Sequence, residues 1–72
     1  MKQGIKPYDV VTLTEDIPQQ GLVCGQVGTV VEEYAPDAFE VEFSDNDGRT
    51  YALLTLRPSQ LLVLRYEPLR AA

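Results

Sequence analysis

The chain has no histidine and no tryptophan, one cysteine and one methionine among 72 residues. Without histidine, the imidazole-based nucleophile–base pairs and the usual zinc ligand sets are out of reach. A lone cysteine cannot close an internal disulfide. Cys24 lies between Val23 and Gly25 with no histidine to activate it, and it reads as a small apolar filler. No apolar run approaches the roughly 20 residues that cross a bilayer, and Met1-Lys2-Gln3-Gly4 lacks the apolar stretch of a signal peptide. A soluble cytoplasmic protein is expected.

Cations are also few. Six Lys and Arg stand against eleven Asp and Glu, a net charge of −5. Lys2, Lys6, Arg49, Arg57, Arg65 and Arg70 are scattered singly. Binding to a phosphate backbone draws on cations gathered on one surface, because affinity comes largely from displaced counterions. Nucleic acid is therefore not the expected partner. The acidity fits a basic protein surface better.

What is present is enough for one small globular domain, with 44% hydrophobic and 24% charged residues. A chain of this length buries only about 60% of its unfolded surface, so an enclosed pocket would compete with the core for the same few side chains. No small-molecule substrate, cofactor or metal is expected, and the chain is read as a non-enzyme.

Tyr8–Thr14 is rich in β-branched residues and reads as a strand. A polar loop follows from Glu15 to Gly21, with Leu22 and Val23 tucked beneath it. Gln26–Tyr34 is a second strand, whose Gly28 marks a bend or a close backbone approach. Ala35-Pro36-Asp37 is a turn. Ala38–Ser44 alternates apolar and acidic residues, the signature of a strand with one face in a core and one in water.

Asp45-Asn46-Asp47-Gly48 carries a strong hairpin signal. With Asp47 and Gly48 as the loop, Phe43 faces Ala52, Val41 faces Leu54 and Phe39 faces Leu56 on the apolar side. Ser44, Glu42 and Glu40 then face Tyr51, Leu53 and Thr55 on the other side. A slip of one residue would send the apolar set to the wrong face. Arg57-Pro58-Ser59-Gln60 breaks the fourth strand with a 3₁₀ turn, and Leu61–Tyr66 is the last strand. The expected fold is all-β, a small five-stranded SH3-like barrel with a 3₁₀ turn before the last strand. It spans residues 1–66, with 67–72 as a C-terminal tail.

Ile5-Lys6-Pro7-Tyr8-Asp9-Val10-Val11, Ile17-Pro18, Gly21-Leu22 and Gly25-Gln26-Val27-Gly28-Thr29-Val30-Val31 occur in that order. With Glu40-Val41-Glu42-Phe43, Asp47-Gly48-Arg49-Thr50 and Leu56-Arg57-Pro58-Ser59-Gln60-Leu61, the chain resembles the small bacterial proteins grouped as domain of unknown function 4926. The resemblance implies an SH3-like barrel and carries over no catalytic residue. Such short genes often sit beside toxin-like or mobile-element genes, which implies a partner-neutralising role. More loosely, Gly25-Gln26-Val27-Gly28-Thr29-Val30 is similar to the KOW-type barrels of ribosomal and transcription proteins. That resemblance implies a nucleic-acid-binding alternative, carried by Arg49, Arg57 and Arg65.

Two chemical readings fail on spacing. Placing Gly48 at the glycine of a calcium-binding EF-hand loop puts Phe43 and Leu54 at ligand positions, and neither can ligate. Glu40 and Glu42 lie on the water-facing side of a strand, without the burial that general acid–base work needs. The candidate partner-binding residues are Tyr51, Leu53, Glu40, Glu42 and Tyr34. An apolar pair beside two glutamates marks a protein contact or a self-association surface.

Overall fold

The computed structural model describes residues 4–68. Five antiparallel strands form one sheet: β1 (Val10–Leu13), β2 (Val27–Ala35), β3 (Ala38–Ser44), β4 (Thr50–Leu56) and β5 (Leu61–Val63). Their order is β4-β3-β2-β1-β5. The first four strands form a meander, and the last returns to pair with the first. An all-β, SH3-like arrangement is what the sequence predicts, but the sheet is not closed. β4 and β5 stand at its two edges and do not pair with one another.

The apolar face of each strand supplies the core, because side chains alternate across a strand. Val11 and Leu13 of β1, Val30 of β2 and Phe39, Val41 and Phe43 of β3 are all buried. Leu56, Leu61, Leu22 and Ile5 complete it. The sequence leaves Ile5 unassigned and places Leu22 beneath the loop, where it lies.

Three single-residue irregularities bend the sheet. On β2, the pairing with β3 shifts between Val30 and Glu32 and again between Glu33 and Ala35, leaving Val31 and Tyr34 without partners. On β4, Phe43 pairs with Ala52 but Ser44 pairs with Thr50, so Tyr51 is the extra residue. Each such bulge adds twist and re-aims a side chain.

Gly28 packs directly against β3. A Cβ there would meet Val41 Cγ1 at 2.8 Å, the Glu42 carbonyl oxygen at 2.9 Å and Phe43 Cδ2 at 3.0 Å. The close approach read from the sequence is real: the Glu42 backbone carbonyl and the side chains of Val41 and Phe43 leave no room for a Cβ.

The β3–β4 register agrees with the hairpin reading at Phe39–Leu56, Glu40–Thr55, Val41–Leu54, Glu42–Leu53 and Phe43–Ala52. The turn itself differs. Gly48 donates to the Asp45 carbonyl at 3.0 Å and Asp45 donates to the Arg49 carbonyl at 2.9 Å. The loop therefore has three residues, Asn46-Asp47-Gly48, with Gly48 at φ 82°, and not the two expected. Asp45 Oδ1 accepts the Asp47 and Arg49 amides and stabilises the longer loop.

The loop between β1 and β2 contains a 3₁₀ turn at Pro18–Gln20 that the sequence reading leaves as plain loop. The second 3₁₀ turn, Pro58–Gln60, is where proline predicts it. Thr14 Oγ1 donates to the Ser59 carbonyl at 2.9 Å and Gln60 Nε2 donates to Glu15 Oε2 at 3.1 Å, tying that turn to the loop. A shallow groove of about 230 Å³ runs between Ile17–Gln20 and Leu54–Leu56.

Two readings of this loop are corrected. Val23 and Cys24 are exposed instead of tucked inside. The Cys24 amide donates to Asp16 Oδ1 at 2.8 Å and the Val23 amide to Gln26 Oε1 at 2.7 Å. These bonds to polar side chains hold the segment at the surface, and Leu22 alone turns inward. The last strand is also shorter than expected and stops at Val63. Of the tail read as 67–72, Glu67 and Pro68 are described and exposed, and 69–72 lie outside the described residues.

Candidate functional site

Glu40 and Glu42 alternate with the buried Phe39, Val41 and Phe43, so their side chains leave the core face of β3. Their partners across the ladder are Thr55 and Leu53. Leu53 is 53% exposed, an isobutyl group in water directly opposite a carboxylate. The row continues through Thr29 to Val10.

Both glutamates are oriented by neighbouring hydroxyls. Tyr34 donates to Glu40 Oε1, and Thr50 donates to Glu42 Oε2. The bulge at Val31 shifts the alternation of β2 so that Glu32, and two residues on Tyr34, fall on the Glu40 side. Tyr34, Glu40, Glu42 and Leu53 thus share one face; the hairpin spacing predicts this for Glu40, Glu42 and Leu53, and Tyr34 joins them through the irregular pairing of β2.

The Tyr34 hydroxyl is pushed up to about 12 from its ordinary 10.0. The hydrogen bond to Glu40 is the main cause, with desolvation and the negative charges of Glu40 and Glu32 adding to it. Ionising the phenol would place a third negative charge beside two carboxylates. A raised value means that this contact supports the fold up to about pH 10 and is lost as the pH climbs toward 12. In a spectrophotometric titration, phenolate absorbance from Tyr34 should therefore appear late. Glu40→Gln should bring it back toward 10, and a Glu40→Gln titration that overlays the wild type would refute the contact.

Tyr51 departs from this face. As the bulged residue of β4 it leaves the ladder position opposite Ser44. Its ring centroid lies 6.3 Å from that of the core Phe43, at a 42° tilt. Its hydroxyl accepts from Gln26 Nε2 at 3.2 Å. Tyr51 covers one end of the core and does not flank Leu53, although it remains 47% exposed.

Two further apolar side chains on the outer side of the sheet escaped the sequence reading. Leu62 pairs with Thr12, and Thr12 with Val27. Leu62 is 56% and Val27 47% exposed. The unbroken run Leu61-Leu62-Val63-Leu64 carried the signal, because alternate residues of a strand cannot all enter one core.

The arginines do not converge along β4. Arg49 precedes it and Arg57 follows it, so the strand's length, about 20 Å, separates them. Lys6 Nζ makes a 3.5 Å pair with Asp9. Among the described residues, no group of three or more His, Cys, Asp and Glu is arranged to hold a metal ion, and no helix is long and apolar enough to cross a membrane.

The model of the family described as "Domain of unknown function (DUF4926)" matches residues 8–63, which run from the turn before β1 to the last residue of β5. The chain belongs to the DUF4926 family. The match covers every strand, so the sheet and its three bulges lie within the family's domain. Neither a curated protein nor a solved structure matches the chain.

Proposed function

We propose that this DUF4926 domain is a non-enzymatic cytoplasmic interaction module that binds a basic protein partner through the outer face of β3 and β4. The observation that carries the reading is Leu53, exposed at the ladder position opposite Glu42, with Glu40 one pair away. An apolar anchor inside an acidic surround suits a partner segment that mixes apolar side chains with Lys or Arg. Stacking two copies of this face would bring Glu40 and Glu42 toward their own counterparts, so the face favours a different protein over itself. A toxin-like neighbour is the partner class implied by the family resemblance. The separation of Arg49 from Arg57 gives the nucleic-acid alternative no support.

The test uses a labelled peptide of alternating lysine and leucine, followed by fluorescence anisotropy. Leu53→Asp adds negative charge, so attraction by charge alone would strengthen. The expected result is the opposite, binding weakened by roughly tenfold, because the apolar anchor is gone. Unchanged or tighter binding by Leu53→Asp would remove this surface from consideration.

A further inference from the structure

Tyr8 stands in a backbone conformation that tyrosine seldom adopts. Among the described residues it is the one non-glycine with a positive φ, 75°. For a bulky side chain this is an outlier, costly because Cβ crowds the backbone. Lys6-Pro7-Tyr8-Asp9 forms the turn that leads into β1, with the Asp9 amide donating to the Lys6 carbonyl at 3.1 Å. Proline at its second position and a positive φ at its third make it a type II turn, whose third position ordinarily takes glycine or asparagine. Tyr8 and Asp9 also stand together opposite Val30. The Tyr8 amide donates to the Val30 carbonyl at 2.6 Å, and the Val30 amide donates to the Asp9 carbonyl at 2.9 Å. Two residues facing one make a bulge, and a bulge whose first residue has a positive φ normally has glycine there.

The neighbours enforce this conformation, yet the ring gains no packing from it. Asp9 Oδ2 accepts the Lys6 amide at 3.1 Å and Asp9 Oδ1 pairs with Lys6 Nζ at 3.5 Å, which locks the turn. Tyr8 is 78% exposed and has no aromatic partner among the described residues. Residues held in rare conformations cluster at functional sites, where the surrounding structure offsets their strain. The position of Tyr8 suits such a role. It precedes Val10 by two residues, and Val10 ends the row that runs from Leu53 through Glu42 and Thr29. Tyr8 is thus at the rim of the acidic face, three strand spacings or roughly 14 Å along the sheet from Leu53. About five residues of extended chain cover that distance.

We infer, resting on the outer face as the partner surface, that Tyr8 is its second anchor, an exposed ring against which a lysine or arginine of the basic partner packs. A cation over a tyrosine ring is attracted by the negative face of the π system. Lys6 does not oppose that cation, because its own charge is offset by Asp9. The bound segment then reaches across the sheet from Leu53 on β4 to the turn before β1.

The test reads two quantities on the full chain, the melting temperature and the anisotropy of a labelled peptide of about ten alternating lysines and leucines, long enough to span both anchors. Tyr8→Gly is expected to raise the melting temperature by roughly 4 °C, because the backbone is relieved, while weakening peptide binding by roughly fivefold. Tyr8→Ala keeps the strained backbone and loses the ring, so it should lose the same binding without that gain in temperature. Tyr8→Phe should bind as the wild type does. A Tyr8→Gly protein that melts below the wild type, or that binds the peptide as tightly, overturns the inference. Leu53→Asp, measured beside it, separates the two readings. If Leu53→Asp alone loses binding, the outer face stands and the anchor at Tyr8 falls. If the Tyr8 variants alone lose binding, the anchor stands and Leu53 leaves the surface.

Discussion

Phe43→Ala is expected to cost about 3–5 kcal/mol, a large share of what holds so small a domain folded. Phe43 has no solvent exposure at all. Its cross-strand partner is Ala52 and the residue beneath it on β2 is Gly28, so neither neighbour has a side chain able to fill the space left. The cost therefore lies toward the upper end of the range, where the site cannot collapse. A domain of 72 residues has a total stability of roughly 4–11 kcal/mol. Urea denaturation gives the difference directly. Leu53→Ala, on the outer face, should stay within about 0.5 kcal/mol of the wild type. A Phe43→Ala loss below about 1 kcal/mol would mean that the core is centred elsewhere.

Gly28→Ala is expected to destabilise by about 1–3 kcal/mol, although two effects oppose one another. Alanine in a strand gains about 0.5–1 kcal/mol over glycine from the lower entropy of the unfolded chain. Against this, the new methyl would sit 2.8 Å from Val41 Cγ1 and 2.9 Å from the Glu42 carbonyl oxygen. A side-chain methyl can rotate aside, but a ladder carbonyl can move only with its strand. Overpacking wins. Adding Val41→Ala should relieve only part of the strain, because the carbonyl remains. Thermal unfolding of the single and double variants measures both effects, and a Gly28→Ala protein more stable than the wild type would refute the close approach.

Much of the fold was legible because it depends on period-two patterning. Phe39, Val41 and Phe43 alternate with acids, and that alternation fixes both the faces of β3 and its register with β4. Pro58 likewise announces the second 3₁₀ turn. The bulges were not legible. Tyr34 and Tyr51 are ordinary strand residues in sequence, and which one drops out of a ladder depends on how a long strand must curl over a small core. That single extra residue on β4 is why Tyr51 closes the core end while Leu53 keeps its predicted place. Sheet closure was misread for a related reason, since strand number alone does not make the edges meet. Cys24 and Val23 were misread because hydrophobicity argued for burial while Asp16 and Gln26, several residues away or beyond a glycine, supplied the hydrogen bonds that hold them outside.

The return of β5 to β1 bears on how the domain is made. Val11 pairs with Val63, the last residue of β5, so β1 keeps an unpaired side until that strand has formed. β2, β3 and β4 are neighbours in sequence and can associate as they emerge. Val11 and Leu13 must wait for the final strand before that side is shielded. A chain in which β5 has not yet docked therefore carries an adhesive flank along β1, the stage at which a chaperone would have most to do.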